Sequence, residues 1–333
     1  MYMLGVRQEI PVLAALDADG RAEAELARAE AADGRDARRA LYLQFAAGCV
    51  DWAVSRSLAD RSREFASHLR SVREATAAAY GGGAQLTLGS IARADAEAAR
   101  ADRRAIDFDE QSQIAREALV ALAGEDVALP ELPPGIPEPP TDADVDAMLE
   151  GAIGRRGDVA AARARGASAD ARAESARAMA DVPEFEVAAT YMQMPGARPG
   201  LGAMVSMTMP WIGGALSDAS EAAEAERDAA RYQASAAERA ASVDVHTQAA
   251  RFRAARRVLR SIEEYELPAS ERAADAERAG LGGGGAFDLT AWLIAAHAML
   301  EARIEREMAK GAVARSWVEL RAAAALHETK EEP

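Results

Sequence analysis

From about Asp17 to Ala79 the chain contains no proline, and Ala, Arg, Glu and Leu, all strong helix formers, dominate it. A run of about 63 residues at 1.5 Å rise makes a helix of roughly 95 Å. A compact globule of this chain length has a radius of gyration of only about 20 Å. Such a helix does not fit inside a globule, so an elongated molecule is expected. Leu58, Phe65, Val72 and Ala79 recur every seven residues, with Leu69 on the same seam, which is coiled-coil spacing. Gly34 and Gly48 interrupt the run, and a turn hidden near Gly34 would give two shorter helices instead. A second long helical run spans about Leu216 to Ala279, with Val245, Phe252 and Leu259 again at sevens and Pro268 expected to kink it. Returning helices are expected over about Leu86–Leu122 and Phe287–Leu326, and another over about Gly157–Ala180. Thr141 or Asp142 is placed to cap a short helix ending near Ile153.

Between Pro183 and Gly214 the period changes. Phe185, Val187, Ala189 and Tyr191 fall on one face of an extended strand, and Leu201, Ala203, Val205, Met207 and Met209 do so in a second run. Pro195-Gly-Ala-Arg-Pro-Gly200 joins them as a turn, because Pro fixes φ and Gly tolerates positive φ. Each arm has about the 9–11 residues that a tilted strand needs to cross a bilayer. Residues 2–10 alternate likewise, with Tyr2, Leu4, Val6 and Ile10 on one side and Gly5, Arg7 and Glu9 on the other, and predict a third strand ended by Pro11. An isolated hairpin is marginal in water, and this chain offers few further strands to pair with it.

The predicted fold class is therefore mainly α with a small β part. Composition agrees: 50% of the residues are hydrophobic but only 5% are aromatic, so few large side chains exist to fill a globular core. A formal charge of −15 without a basic patch argues against nucleic acid as a partner. Cys49 alone allows no internal disulfide and no cysteine-based metal cluster. No 18-residue apolar run is present to make a membrane-spanning helix, and the first residues lack the pattern of a signal peptide.

The chain is also duplicated. Gln8-Glu-Ile-Pro11 matches Met207-Thr-Met-Pro210 at an offset of about 199, and Tyr80-Gly-Gly-Gly-Ala84 matches Gly282-Gly-Gly-Gly-Ala286 at about 202. Each half reads strand, Pro, very long helix, glycine turn, returning helix. The division expected is a partial first repeat over 1–127, a proline-rich strap and short helix over 128–156, a second repeat over 157–326 containing the hairpin 184–211, and a polar tail over 327–333.

This ordered plan resembles the TolC-like outer-membrane efflux protein family, especially its cation-efflux branch. Val6-Arg-Gln-Glu-Ile-Pro11 resembles the family's strand end before the first descending helix, and Val205-Ser-Met-Thr-Met-Pro-Trp-Ile-Gly213 its second. Tyr80-x-x-Gly83 followed by Ile91 is similar to the Tyr-x-x-Gly turn at the periplasmic tip, with Gly282 and Gly285 at the second tip. Arg156-Gly-Asp158 stands where the family usually has Arg-Pro-Asp, and Pro268 sits where such members carry proline. The resemblance implies a homotrimer whose chains share a β-barrel in the outer membrane. It implies long helices that form a periplasmic tunnel docking on an adaptor (a membrane fusion protein) and an inner-membrane pump. The function it implies is that of a passive export duct, with no enzyme chemistry and no cofactor. It also implies an ascending helix and a strand upstream, since three strands per chain would make nine in a trimer, not twelve. The branch's acidic positions past the second tip fall here on Ala291 and Ile294, with Asp288 one turn early, which argues against cation selectivity at the tip.

Other residues offer candidate chemistry, each beside a plainer reading. Phe185, Val187, Tyr191, Val205 and Met207 are expected as barrel-strand positions, with Trp211 in an aromatic girdle or as a plug at the strand–helix junction. Asp275, Glu277 and Asp288 flank the second tip and would narrow a pore by a ring of charge, or would simply solvate a helix face. Met192, Met194, Met204, Met207 and Met209 offer thioethers to a soft cation, but lipid contact explains Met207 and Met209 without a metal. Gly280-Leu-Gly-Gly-Gly-Gly285 satisfies G-x-G-x-x-G, yet a helix precedes it where a nucleotide site needs a strand. His68, His246, His297 and His327 show no zinc spacing. The competing reading is a soluble coiled-coil scaffold, or a truncated paralogue that exports nothing.

Overall fold

A computed structural model describes residues 2–81, 88–124, 127–133, 135, 141–193, 198–209, 215–279 and 288–326. Strand β1 (Tyr2–Ile10) leads into helix α1 (Leu13–Gly81), which runs without interruption through Gly34 and Gly48. The two-helix alternative is thereby excluded. Gly48 has a packing reason to be glycine: a Cβ there would lie 2.8 Å from Leu119 Cδ2 of α2 (Leu88–Ala123).

The short helix after the strap is in fact two, α3 (Asp142–Leu149) and α4 (Ala152–Arg155). Thr141 caps α3 in a reciprocal capping box with Asp144. Gly151, at φ +69, breaks the helix before it reaches Ile153. Helix α5 (Gly157–Asp181) then leads into strands β2 (Glu184–Gln193) and β3 (Gly200–Thr208).

The second long helix departs from expectation at one point. Helix α6 (Ala215–Ser261) passes through a π-helical turn, Ile262–Glu266, into α7 (Leu267–Ala279). Pro268 has no N–H to give, and its ring crowds the carbonyl four residues back. The wider turn relieves this: the Leu267 N–H reaches back five residues to the Ile262 carbonyl. Helix α8 (Leu289–Ala323) ends the described chain, followed by Ala325 at φ 55.

The residues form two compact units, one of 1–38 with 153–243 and the other of 39–152 with 244–333. Each combines pieces of both sequence repeats. The units therefore cut across the division at 127 and 156.

The first unit holds the sheet. Its order is β1-β2-β3, all antiparallel. Its helices pack through small side chains: Ala18, Ala29 and Ala161 are fully buried. Two rows of ion pairs flank α5. On one side Arg163–Glu238, Asp170–Arg231 and Arg177–Glu224 join it to α6 at 2.7, 2.9 and 2.6 Å. On the other, Arg21–Glu174, Glu23–Arg172 and Asp33–Arg165 join it to α1.

The second unit is packed with larger side chains. Its main cluster takes Leu58, Phe65, Leu69 and Val72 from α1, small residues from α2, and Trp292, Leu293 and Leu300 from α8. The heptad seam read from the sequence is thus the core contact. Val145, Phe252, Val313 and Leu320 make a second cluster beneath α3.

Candidate functional site: the amphipathic sheet and the turn-proximal helices

Strand pairing puts the predicted apolar strand residues on one face, except Met209, which follows the end of β3. Directly opposed residues share a face, and the register aligns Leu4 with Tyr191 and Leu201, Val6 with Ala189 and Ala203, and Ile10 with Phe185 and Met207. Two polar side chains enter this band: Gln193, aligned with Tyr2, and Gln8, aligned with Val187 and through it Val205; the Gln8 amide donates to the Glu9 carbonyl at 2.8 Å. The other face carries Met3, Gly5, Arg7 and Glu9, aligned with Met192, Thr190, Ala188 and Glu186. There Arg7 pairs with Glu186 at 2.9 Å. The apolar band is bare: Leu201 is 87% exposed, Val6 74% and Leu4 72%. Among the described residues, β1 and β3 each pair only with β2, so both outer edges are open. An exposed apolar face with unpaired edges is what a sheet displays when lipid and further strands complete it.

The register also divides the methionines. Met207 lies in the apolar band, and Met192 and Met204 lie on the opposite face. Met194 and Trp211 lie outside the described residues, as do Gly83, Gly282 and Gly285 of the tip turns. Tyr80 falls in the last turn of α1, one residue beyond the expected helix end.

Before the expected second tip, Asp275 and Glu277 are exposed on α7. Asp288 caps α8, its carboxylate accepting from the N–H groups of Thr290 and Ala291 at 2.8 and 3.2 Å. The Asp-Leu-Thr sequence opening an apolar helix was a readable signal for that cap.

One feature escaped sequence reasoning. Helices α2 and α8 touch through His297, whose Nδ1 and Nε2 lie 3.6 Å from carboxylate oxygens of Glu97 and Glu301, and through the Arg104–Glu301 pair. The partners are separated in sequence by about the repeat offset, so equivalent stretches of the two halves lie side by side. Among the described residues no cluster of His, Cys, Asp and Glu is arranged to hold a metal ion, and no helix is long and apolar enough to cross a membrane.

No protein-family model matches the sequence, and no curated protein matches it in sequence. Solved structures do match in fold. The outer-membrane channel OprN superposes with a TM-score of 0.82 at 17% identity, over 96% of this chain and 74% of its own. The channel-forming protein CusC gives 0.81 at 14% identity, over 97% and 76%. The outer membrane protein VceC of Vibrio cholerae gives 0.79 at 19% identity, over 97% and 79%. The chain has the fold of the TolC-like outer-membrane channels: long antiparallel helices with a small antiparallel sheet. The expected fold class, and the likeness in fold to that family, are borne out.

Proposed function

We propose that the chain is an outer-membrane channel subunit of a tripartite efflux system, a passive duct that exports substrate without bond chemistry. The observation that carries this reading is the sheet, which has one largely apolar face, edges that are open among the described residues, and long helices joined to its strands. Three copies pairing edge to edge would bury those edges and turn the apolar band to lipid. The face with Arg7, Glu9, Thr190 and Glu186 would then line the lumen. Homotrimer formation, a periplasmic adaptor and an inner-membrane pump belong to this proposal.

The test compares the two sheet faces in membrane fractions. Arg in place of Val187, mid-strand in the apolar band, costs about 2–4 kcal/mol if that face meets lipid at the bilayer midplane. Membrane-embedded, cross-linkable trimer should then fall sharply. Thr190→Arg, on the other face and opposite Gly5 and Gly202, should leave it intact. Equal behaviour of the two variants, or a compact water-soluble monomer for the parent chain, would overturn the proposal.

A further inference from the structure

A cleft of about 430 Å³ opens among α1, α7 and α8, within the second unit. That volume suits a small organic ligand. Its floor is apolar, formed by Phe65, Trp292, Ala296 and Leu300, all buried. Its walls carry Arg61, His68, Arg278 and Arg303 against only Glu64 and Asp275. Two of the arginines are occupied: Arg61 by Glu64 at 2.9 Å, and Arg303 by Glu271 at 3.0 Å. Arg278 pairs with no carboxylate among the described residues. The hydroxyls are spent locally, Ser67 donating to the Glu64 carbonyl and Ser71 to that of Ser67. His68 stands edge-on to Trp292, with ring centroids 5.9 Å apart.

We infer that this cleft binds a small carboxylate with an aromatic body, its ring over the apolar floor and its charge at Arg278. A guanidinium that pairs with no carboxylate among the described residues, above an apolar floor, presents the two features such a ligand matches: a fork for the carboxylate and an apolar seat for the ring. The local field agrees. Burial holds the His68 imidazole below the usual histidine range, and Arg278 and Arg303 lower it further, outweighing the opposing pull of Glu64. An anion at Arg278 would cancel part of that field. Asp275, three residues from Arg278 on α7, is the acid of the wall that has no ion pair among the described residues. It opposes the ligand and sets a preference for a single negative charge. The ligand would bridge α7 to α1, two helices otherwise joined there through α8. This inference holds whether or not the sheet enters a membrane.

The test uses the full chain in detergent, with 1-naphthoate as probe and 1-naphthalenemethanol as its uncharged counterpart, by calorimetry and by histidine NMR. Naphthoate should bind saturably and raise the His68 titration. The alcohol should bind roughly tenfold or more weakly. Arg278→Ala should weaken naphthoate by about tenfold without changing the alcohol, Arg278→Lys should recover part of the loss, and Asp275→Asn should tighten binding. Circular dichroism identifies any variant that fails to fold, and the Lys variant with the alcohol comparison then decides. Equal affinity for acid and alcohol, an unmoved His68, or an Arg278→Ala chain that binds naphthoate as well as the parent would overturn the inference.

Discussion

In the unit of residues 1–38 and 153–243 the fully buried helix positions are mostly alanines, Ala18, Ala29 and Ala161 among them, with Val159 the one larger apolar side chain among the described residues. The unit of 39–152 and 244–333 buries Trp52, Phe65, Phe252 and Trp292. The sequence differs in the same sense, since the seams with large apolar residues at sevens fall almost wholly in the second unit. Alanine lets helix backbones approach closely but removes little apolar area from water per residue. Arginine–carboxylate rows on both flanks of α5 then supply register, which featureless alanine surfaces do not. The second unit gets both register and burial from its large side chains. The first unit is therefore held by close fit and charge, and the second by hydrophobic area.

Deleting a large core side chain probes this difference hardest. Phe252→Ala or Trp292→Ala, each removing a fully buried ring, should cost about 3–5 kcal/mol, read as a drop in the denaturation midpoint. No single truncation in the alanine unit should match it: Ala18→Gly should cost about 1–2 kcal/mol from helix propensity and a lost methyl. Equal costs at Phe252 and Ala18 would break the comparison.

Close fit in the first unit is tested at Gly157. A Cβ there would sit 2.6 Å from the Ala32 carbonyl oxygen and 2.9 Å from the Asp36 nitrogen, both backbone atoms of α1. Gly157→Ala should cost about 2 kcal/mol despite alanine's better helix propensity. Gly34→Ala meets no atom within 4 Å in the chain and should stabilise by up to about 1 kcal/mol. Opposite signs for two Gly→Ala changes in one unit would locate the close approach directly.

These residues also show what was legible beforehand. The Leu58–Phe65–Leu69–Val72 seam and the apolar strand faces follow from period alone, because burial imposes 3.5- or 2-residue spacing on one chain segment. What period cannot carry is the identity of the partner. Gly157 reads in sequence only as a departure from the usual Arg-Pro-Asp; the reason is a backbone about 120 residues earlier. Around it Arg156 still forks onto Asp158, at 3.0 and 2.7 Å. His297 looked isolated because its carboxylate on α2 is about 200 residues away in sequence. The π turn before Pro268 was expected only as a kink, since a proline specifies that the hydrogen-bond ladder breaks and not how it is rejoined.

A pH test separates the units by a smaller effect. The folded His68 imidazole titrates below the usual histidine range, chiefly through burial. The unfolded chain therefore takes up that proton first as pH falls. The stability of the second unit should decline from about pH 7 to about pH 5. His68→Gln should flatten the part of that decline that belongs to His68. An unchanged pH profile in the variant would remove His68 from the account.

The ion-pair row of the first unit should give the smallest effect. Arg163–Glu238, Asp170–Arg231 and Arg177–Glu224 advance by seven residues along α5 while they retreat by seven along α6, so each pair repeats the same antiparallel contact two turns on. All six side chains are substantially exposed, so each pair contributes less than about 1 kcal/mol and is screened by salt. Asp170→Asn should lower stability by only a few tenths of a kcal/mol at low salt, and raising the salt concentration should erase the difference. Exchanging the charges of one pair, Asp170→Arg with Arg231→Asp, should recover it, because the row needs opposite signs at each rung and not a particular order of them. If the exchanged pair stays as weak as the single change, the row does not act through charge, and the register of α5 on α6 must come from the alanine surface after all.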